Sequence, residues 1–148
     1  MSNLLESIVA LQVSGAALGV PLGQVNEINR GLDLTPVPCS PSAVLGVVNL
    51  RGEIVTLLDL GEILFGRPAV ATADSRIVIV QVEDEKLGLM IDRVGDVVSV
   101  VDHPLEAMPS HVPDSDARFF RGVLQQPSQL ILVIDIDTVC SIAGEAVA

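Results

Sequence analysis

The stretch Ile8-Val9-Ala10-Leu11-Gln12-Val13-Ser14-Gly15-Ala16-Ala17-Leu18-Gly19-Val20-Pro21-Leu22-Gly23-Gln24-Val25-Asn26-Glu27-Ile28 returns, without a gap, as Ile77-Val78-Ile79-Val80-Gln81-Val82-Glu83-Asp84-Glu85-Lys86-Leu87-Gly88-Leu89-Met90-Ile91-Asp92-Arg93-Val94-Gly95-Asp96-Val97, a constant offset of 69 (77 − 8 = 69). Ile8/Ile77, Val9/Val78, Gln12/Gln81, Val13/Val82, Leu18/Leu87, Gly19/Gly88 and Val25/Val94 are identical. A second block recurs in the same order: Gly46-Val47-Val48 matches Gly122-Val123-Leu124, and Ile54–Leu60 matches Leu130–Ile136. Chance similarity between Val-rich strands does not account for matched polar positions in a matched order, so the chain reads as a duplicated unit. The unit is a hairpin, a bend, a connection, a second hairpin and a short helix. A unit of about 70 residues buries only about 60% of its unfolded surface and is marginal alone. The halves are therefore expected to pack on each other, and the seam between them to form a groove suited to binding.

Short Val/Ile/Leu runs separated by Gly, Pro, Asn and Asp give strands at Ile8–Val13, Leu18–Leu22, Val44–Val48, Ile54–Leu58, Ile77–Val82, Leu87–Ile91, Val94–Val100, Phe120–Leu124 and Leu130–Ile134. Their regular spacing indicates an all-β sandwich or barrel. Leu60–Phe65 is expected to be a short helix stopped by Gly66, and Asp135–Ala143 a C-terminal helix stopped by Gly144. Asp59 and Asp135 precede these helices as N-caps. Pro104–Asp116, with three prolines and one histidine and with His103 just before it, reads as a long loop.

The 148 residues suit one domain, or two very small ones sharing a core. With 8 basic and 19 acidic side chains the net charge is -11, which opposes binding to nucleic acid or to an anionic membrane surface. Apolar residues at 49% exclude a disordered chain. Three Phe with no Trp or Tyr make a base- or sugar-stacking barrel a poor reading. The uncharged stretch Ser7–Asn26 is broken by Gly, Pro and Gln and does not read as a membrane span. Met1–Glu6 carries no Lys or Arg, so a secretory signal is not expected. Cys39 and Cys140 give neither a disulfide framework nor zinc spacing, and a reduced, cytoplasmic setting is expected.

A duplication lets one half serve as the reference for the other. Between the matched segments the first half has Asn49-Leu50-Arg51-Gly52-Glu53, where the second has Gln125-Gln126-Pro127-Ser128-Gln129. The first reads as a hairpin tip with Gly52 at positive φ. A simple turn does not need Arg51, and a guanidinium on a tight tip is a rigid fork of five donors. A solvated turn arginine is the plainer alternative.

Val44-Leu45-Gly46-Val47-Val48-Asn49-Leu50-Arg51-Gly52-Glu53-Ile54-Val55, followed by Leu58-Asp59-Leu60, resembles the signature of the CheW-like domain family. The likeness extends through Gly23–Ile28, Thr35–Pro38, Leu87–Val97, Phe120–Val123 and Leu132–Asp135, so that it spans about residues 7–140. It implies a single domain over residues 5–145, built as two small five-stranded SH3-like β-barrels with a connecting groove. The approximate halves are 7–70 and 75–140, with exchange of strands between them left open. It implies a non-enzymatic adaptor that couples methyl-accepting chemoreceptors to the histidine kinase CheA. In the family the adaptor docks barrel to barrel on the kinase's regulatory domain, and the receptor's cytoplasmic tip lies in the groove. Carried over by position, the partner-contacting residues are Val25, Glu27, Gly46, Arg51, Val94 and Val97. Periodicity alone leaves Val25, Val94, Ile28 and Val97 open between core and groove, and Glu27 and Arg51 can pair with each other or face partners. Membrane association is expected only through partners. An adaptor of a non-flagellar array, such as one for twitching motility, and a ligand-binding small barrel are the alternatives.

No catalytic, cofactor or metal site is expected. His103 and His111 lie in the loop without the helical spacing or cysteine partners of a zinc site. Cys39 has no histidine near it in sequence. Phosphate and dinucleotide fingerprints are absent. Glu83-Asp84-Glu85-Lys86 reads as a solvated hairpin tip, and Asp92-Arg93 as an internal ion pair or junction contact, or as a partner contact.

Overall fold

Successive side chains of a strand point to opposite faces. A run that is apolar at every position, such as Ile77-Val78-Ile79-Val80, is therefore suited to burial on both sides. All four side chains are buried, Ile77 and Ile79 in one cluster and Val78 and Val80 in another. The computed structural model describes residues 6–31, 33–38, 41–101, 105–109 and 117–147, with side chains as far as 141. Its strands are β1 (Ser7–Val13), β2 (Ala16–Pro21), β3 (Val25–Asn29), β4 (Leu34–Thr35), β5 (Val44–Leu50), β6 (Glu53–Asp59), β7 (Arg76–Val82), β8 (Glu85–Ile91), β9 (Arg93–Ser99), β10 (Phe120–Gln125) and β11 (Leu130–Ile134). The helices are α1 (Leu60–Phe65) and α2 (Ile136–Val147).

Every expected strand is present. Two more appear that the pattern did not show: β3, where polar Asn26, Glu27 and Asn29 interrupt the apolar run, and the two-residue β4. Helix α1 ends at Gly66, which is left-handed at φ 65°. Helix α2 runs through Gly144 to Val147, beyond the expected stop; a glycine inside a helix costs only about 1 kcal/mol and does not end it unaided. Both caps form. Asp59 accepts from the Glu62 N–H at 3.1 Å and, with its other oxygen, from the Ala69 N–H at 2.9 Å. Asp135 accepts from the Thr138 N–H at 3.3 Å. Of the expected 104–116 loop, Pro104 and residues 110–116 lie outside the described residues; within it Glu106 makes an isolated antiparallel bridge to Val123.

Neither sheet belongs to one half of the chain. One has the order β10-β11-β2-β1-β9, the other β3-β7-β8-β6-β5-β4. The leading hairpin β1–β2 thus sits among second-half strands, and its repeat β7–β8 among first-half strands. The registers repeat with the sequence. Leu132 and Val133 lie beside Leu18 and Gly19 in parallel β11–β2, as Thr56 and Leu57 lie beside Leu87 and Gly88 in parallel β6–β8. Strands are therefore exchanged between the approximate halves 7–70 and 75–140, and the two are interlocked. Among the described residues the ladders stay open, so in place of two closed five-stranded barrels there are a five-stranded and a six-stranded sheet, each around its own core. The outer edge of β5 carries β4, and that of β10 carries the Glu106 bridge.

Each sheet encloses a small cluster: Val48, Leu50, Val55, Leu57, Ile77 and Ile79 in one, and Ile8, Val100, Leu124, Ile131 and Val133 in the other. The largest cluster lies between the sheets and includes Leu11, Leu18, Leu58, Val78, Leu89 and Ile134. The seam expected to be an open groove is thus mostly filled, because both hairpins turn an apolar face into it.

Leu89 is fully buried in that seam. Leu89→Ala is expected to cost roughly 2–5 kcal/mol, and because strands are exchanged across the seam, both sheets are expected to unfold in one transition. Coincident far-UV circular dichroism and amide-exchange midpoints for strands of both sheets check this; two separated transitions would contradict it.

Candidate functional site

The β5–β6 hairpin closes through two residues, Arg51 and Gly52, between the paired Leu50 and Glu53. Both turn residues have positive φ, 51° for Arg51 and 86° for Gly52. The Gly52 N–H donates to Asn49 Oδ1 at 2.8 Å, which holds the tip. This geometry matches the right-handed strand twist and favours Asn or Gly at the first turn position. An arginine there occupies a left-handed conformation that costs an L-residue free energy. The second-half tip differs in hand. Gln126 and Gln129 exchange backbone hydrogen bonds around Pro127-Ser128, and proline is locked at negative φ.

Arg51 is paired with Glu27 across 24 residues of sequence, from the hairpin tip to β3. The other Glu27 oxygen accepts from Asn29 Nδ2 at 3.0 Å. The Arg51 side chain remains 70% exposed while that of Glu27 is 20% exposed, so the guanidinium is oriented from below and open above. The Arg51 guanidinium, followed by the Asn29 amide, holds the Glu27 carboxyl below the usual carboxylate range. Beside this pair, Lys86 reaches Glu53 at 3.3 Å, joining the β7–β8 tip to the β5–β6 tip.

The remaining expected residues do not gather at Arg51. Val25 and its repeat Val94 are half-buried against the seam core. Val97 lies on β9 in the other sheet and is 58% exposed, and Ile28 on β3 is 39% exposed. Gly46 is buried at a β5 bulge with φ 152°. A Cβ there would collide with the Thr35 carbonyl and approach Leu34 Cδ1 to 2.9 Å. Gly122 repeats this, its Cβ position meeting the Glu106 carbonyl and lying 2.9 Å from Leu105 Cγ. The need for glycine at both places follows from a chain segment crossing the strand. Asp92 makes a junction contact: it accepts from the Ser14 N–H at 2.8 Å, while its own N–H donates to the Gln12 carbonyl at 3.0 Å. Arg93 pairs with Asp74 at 3.1 Å on the surface.

One feature escaped the sequence reading. At a margin of the seam, an open groove of about 460 Å³ is lined by Leu64 and Phe65 of α1, Met108, and Phe120, Leu130 and Leu132 of the second hairpin, among others. Of the chain's three aromatic residues, Phe65 and Phe120 line the groove, and Phe119 is buried in the core between the sheets. That clustering across 55 residues was invisible to a linear reading, although the Phe119-Phe120 doublet was a signal.

Cys39, His103 and His111 lie outside the described residues. Cys140 is buried, and burial, followed by Asp137 and Glu85, pushes its thiol up to about 12. Among the described residues no group of three His, Cys, Asp or Glu side chains is placed to hold a metal ion, and no helix is long and apolar enough to cross a membrane.

A rigid doubled β scaffold that presents an oriented guanidinium, exposed valines and isoleucines and an apolar groove is a protein-docking module. The CheW-like domain profile matches residues 7–143. The chain is 31% identical over 139 residues to the chemotaxis protein CheW of Rhizobium meliloti (strain 1021), covering 94% of this chain and 90% of that one. It is 32% identical over 133 residues to the chemotaxis protein CheW of Treponema pallidum (strain Nichols), covering 87% and 78%. The crystal structure of the scaffolding protein TtCheW from Thermoanaerobacter tengcongensis superposes with a TM-score of 0.80 at 27% identity, covering 90% of this chain and 86% of that one. The chain belongs to the CheW-like domain family, a family of chemotaxis scaffolding proteins.

Two outcomes test the site. The Glu27 carboxyl is expected to titrate below the usual glutamate range, and Arg51→Ala to move its NMR midpoint back up. Since the folded-state value is the lower one, the pair's stabilisation is present above the unfolded-state glutamate pKa and is lost as pH falls through the folded-state value. Gly46→Ala is expected to lower stability by roughly 2–4 kcal/mol through backbone strain and overpacking, read as the urea midpoint; an unchanged midpoint would assign the glycine to partner contact instead.

Proposed function

We propose that this chain is a non-enzymatic cytoplasmic adaptor that couples methyl-accepting chemoreceptors to the regulatory domain of the histidine kinase CheA. The observation that carries the reading is the Arg51–Glu27 tip. A guanidinium is kept at a turn position where glycine is cheaper, is aimed by a buttressed carboxylate, and has no counterpart in the duplicated half. Family membership supports the same reading, because the relatives that the chain matches are chemotaxis and scaffolding proteins. In the proposal Arg51 and Glu27 contact the partner directly. Val97 extends the apolar contact on the other sheet. Val25 and Val94 support the strands from beneath, and Gly46 keeps β5 in place so that the tip projects. The margin groove between α1 and the β10–β11 hairpin receives the receptor's cytoplasmic tip, since its apolar lining suits the ridge of a helical hairpin.

Arg51→Gly separates folding from docking. Glycine relaxes at positive φ, so the unfolding midpoint is expected to stay level or rise. Loss of a central arginine anchor is worth about 2 kcal/mol or more, so affinity for the kinase regulatory domain is expected to fall about 30-fold. Calorimetric titration of the variant with that domain gives the answer; undiminished affinity would remove Arg51 from the interface.

A further inference from the structure

Among the described residues, Glu106 is the only charged side chain that lines the margin groove. It belongs to the segment that crosses β10. Its N–H donates to the Val123 carbonyl at 2.8 Å, and its carbonyl accepts from the Val123 N–H at 2.7 Å. The backbone is thus pinned at both polar atoms. The side chain is exposed, and its carboxylate makes neither a hydrogen bond nor an ion pair among the described residues. Around it the lining is apolar, with Phe65, Met108, Phe120 and Leu132, and Gln125 is the one other polar side chain.

The duplication again supplies the reference. The segment crossing β5 meets Gly46 through the Thr35 carbonyl and Leu34, as the segment crossing β10 meets Gly122 through the Glu106 carbonyl and Leu105. Thr35 pairs with Val47, the repeat of Val123, to which Glu106 is bridged. Thr35 is therefore the counterpart of Glu106, and the crossing forms without a carboxylate. With the second block offset by 76 (122 − 46 = 76), Phe120 and Leu132 correspond to Val44 and Thr56. Apolar bulk and the lone carboxylate therefore occur together in one half only. Folding does not demand them, because the other half forms the same hairpin and the same crossing without them.

An occupant that covers the groove takes Glu106 out of water, and a carboxylate desolvated without a partner costs free energy. Among the described residues none of the lining side chains is basic, so the neutralising cation has to come from the occupant. Resting on the reading above, in which this groove takes the receptor tip, we propose that Glu106 sets its specificity: it selects a helical hairpin whose apolar ridge is flanked by a lysine or an arginine. The ridge fills the apolar lining, and the cation meets the carboxylate. A hairpin with an uncharged or acidic flank strips Glu106 of water and leaves it unpaired, so discrimination comes from rejection as well as from attraction.

The test uses the full chain and three soluble chemoreceptor-tip hairpins that share one apolar ridge and differ only in its flanking residues: lysines, glutamines or glutamates. Calorimetric titration gives the affinities. An ion pair made at a closing interface is worth about tenfold in affinity, so Glu106→Gln is expected to weaken binding of the lysine hairpin about tenfold and to strengthen binding of the glutamine hairpin. With a net charge of -11, the whole chain also attracts lysines from a distance. Asp84→Asn measures that contribution, because it removes the same charge from the exposed β7–β8 tip, outside the groove lining. It is expected to change the lysine-hairpin affinity by less than about twofold. Glu106→Lys is expected to turn the preference toward the glutamate hairpin. Both substituted positions are exposed, so the unfolding midpoints are expected to match the wild type. Equal losses for Glu106→Gln and Asp84→Asn, or an unaltered order of preference in Glu106→Lys, overturn the specificity role and leave the receptor reading standing. Failure of the wild-type chain to bind any of the three hairpins overturns the receptor reading itself, and this proposal with it.

Discussion

The filled seam between the two sheets is the constraint from which the rest of the architecture follows. Hairpins β1–β2 and β7–β8 are apolar on both faces, and neither face can be left to water. Each hairpin gives one face to the small core of the sheet it joins and the other to the shared core containing Leu11, Leu18, Val78 and Leu89. Because each sheet borrows its hairpin from the other half, the seam cannot open without breaking β-ladders as well as apolar contacts. That coupling turns two marginal units into one platform, and a platform that does not flex is what allows short surface tips to be held in fixed relation.

Function on this platform arises where the two-fold repeat is broken. Both halves turn their second hairpin in two residues, but one tip uses Arg51-Gly52 at positive φ and the other Pro127-Ser128. The backbone hand differs, and only the first tip carries a charge over the edge of β3. The second break is the reverse case: bulk at Phe120 and Leu132 and a carboxylate at Glu106 replace Val44, Thr56 and Thr35. The repeated features, the Asp59 and Asp135 caps and the Gly46 and Gly122 crossings, serve folding in both copies. A duplicated chain thus contains its own control for separating structural from functional residues.

Strands with an unbroken apolar run were legible from the chain because burial writes a continuous pattern. Strand β3 was not, since an edge strand with one wet face tolerates Asn26, Glu27 and Asn29. Gly66 and Gly144 looked alike as helix stops. Only Gly66 adopts the left-handed turn, and it does so where the chain leaves α1 for the segment held by Asp59 through Ala69. The Glu27–Arg51 pair was one of two readings on residue type, and its realisation depended on β3 lying next to the β5–β6 tip.

Short-range physics was therefore decided by residue order: hairpin tips, caps, the duplicated period and the apolar stretches all rest on backbone conformations and burial patterns that neighbouring residues impose. Which hairpin joins which sheet was not, because β1–β2 and β7–β8 are so alike that local preference is indifferent to the exchange, and only long-range ladders and the closing of the seam discriminate. The closed seam, the meeting of Glu27 with Arg51 and the meeting of Phe65 with Phe120 at one margin are consequences of that non-local choice. A linear pattern carries no distance between remote residues, so these features exist only in three dimensions.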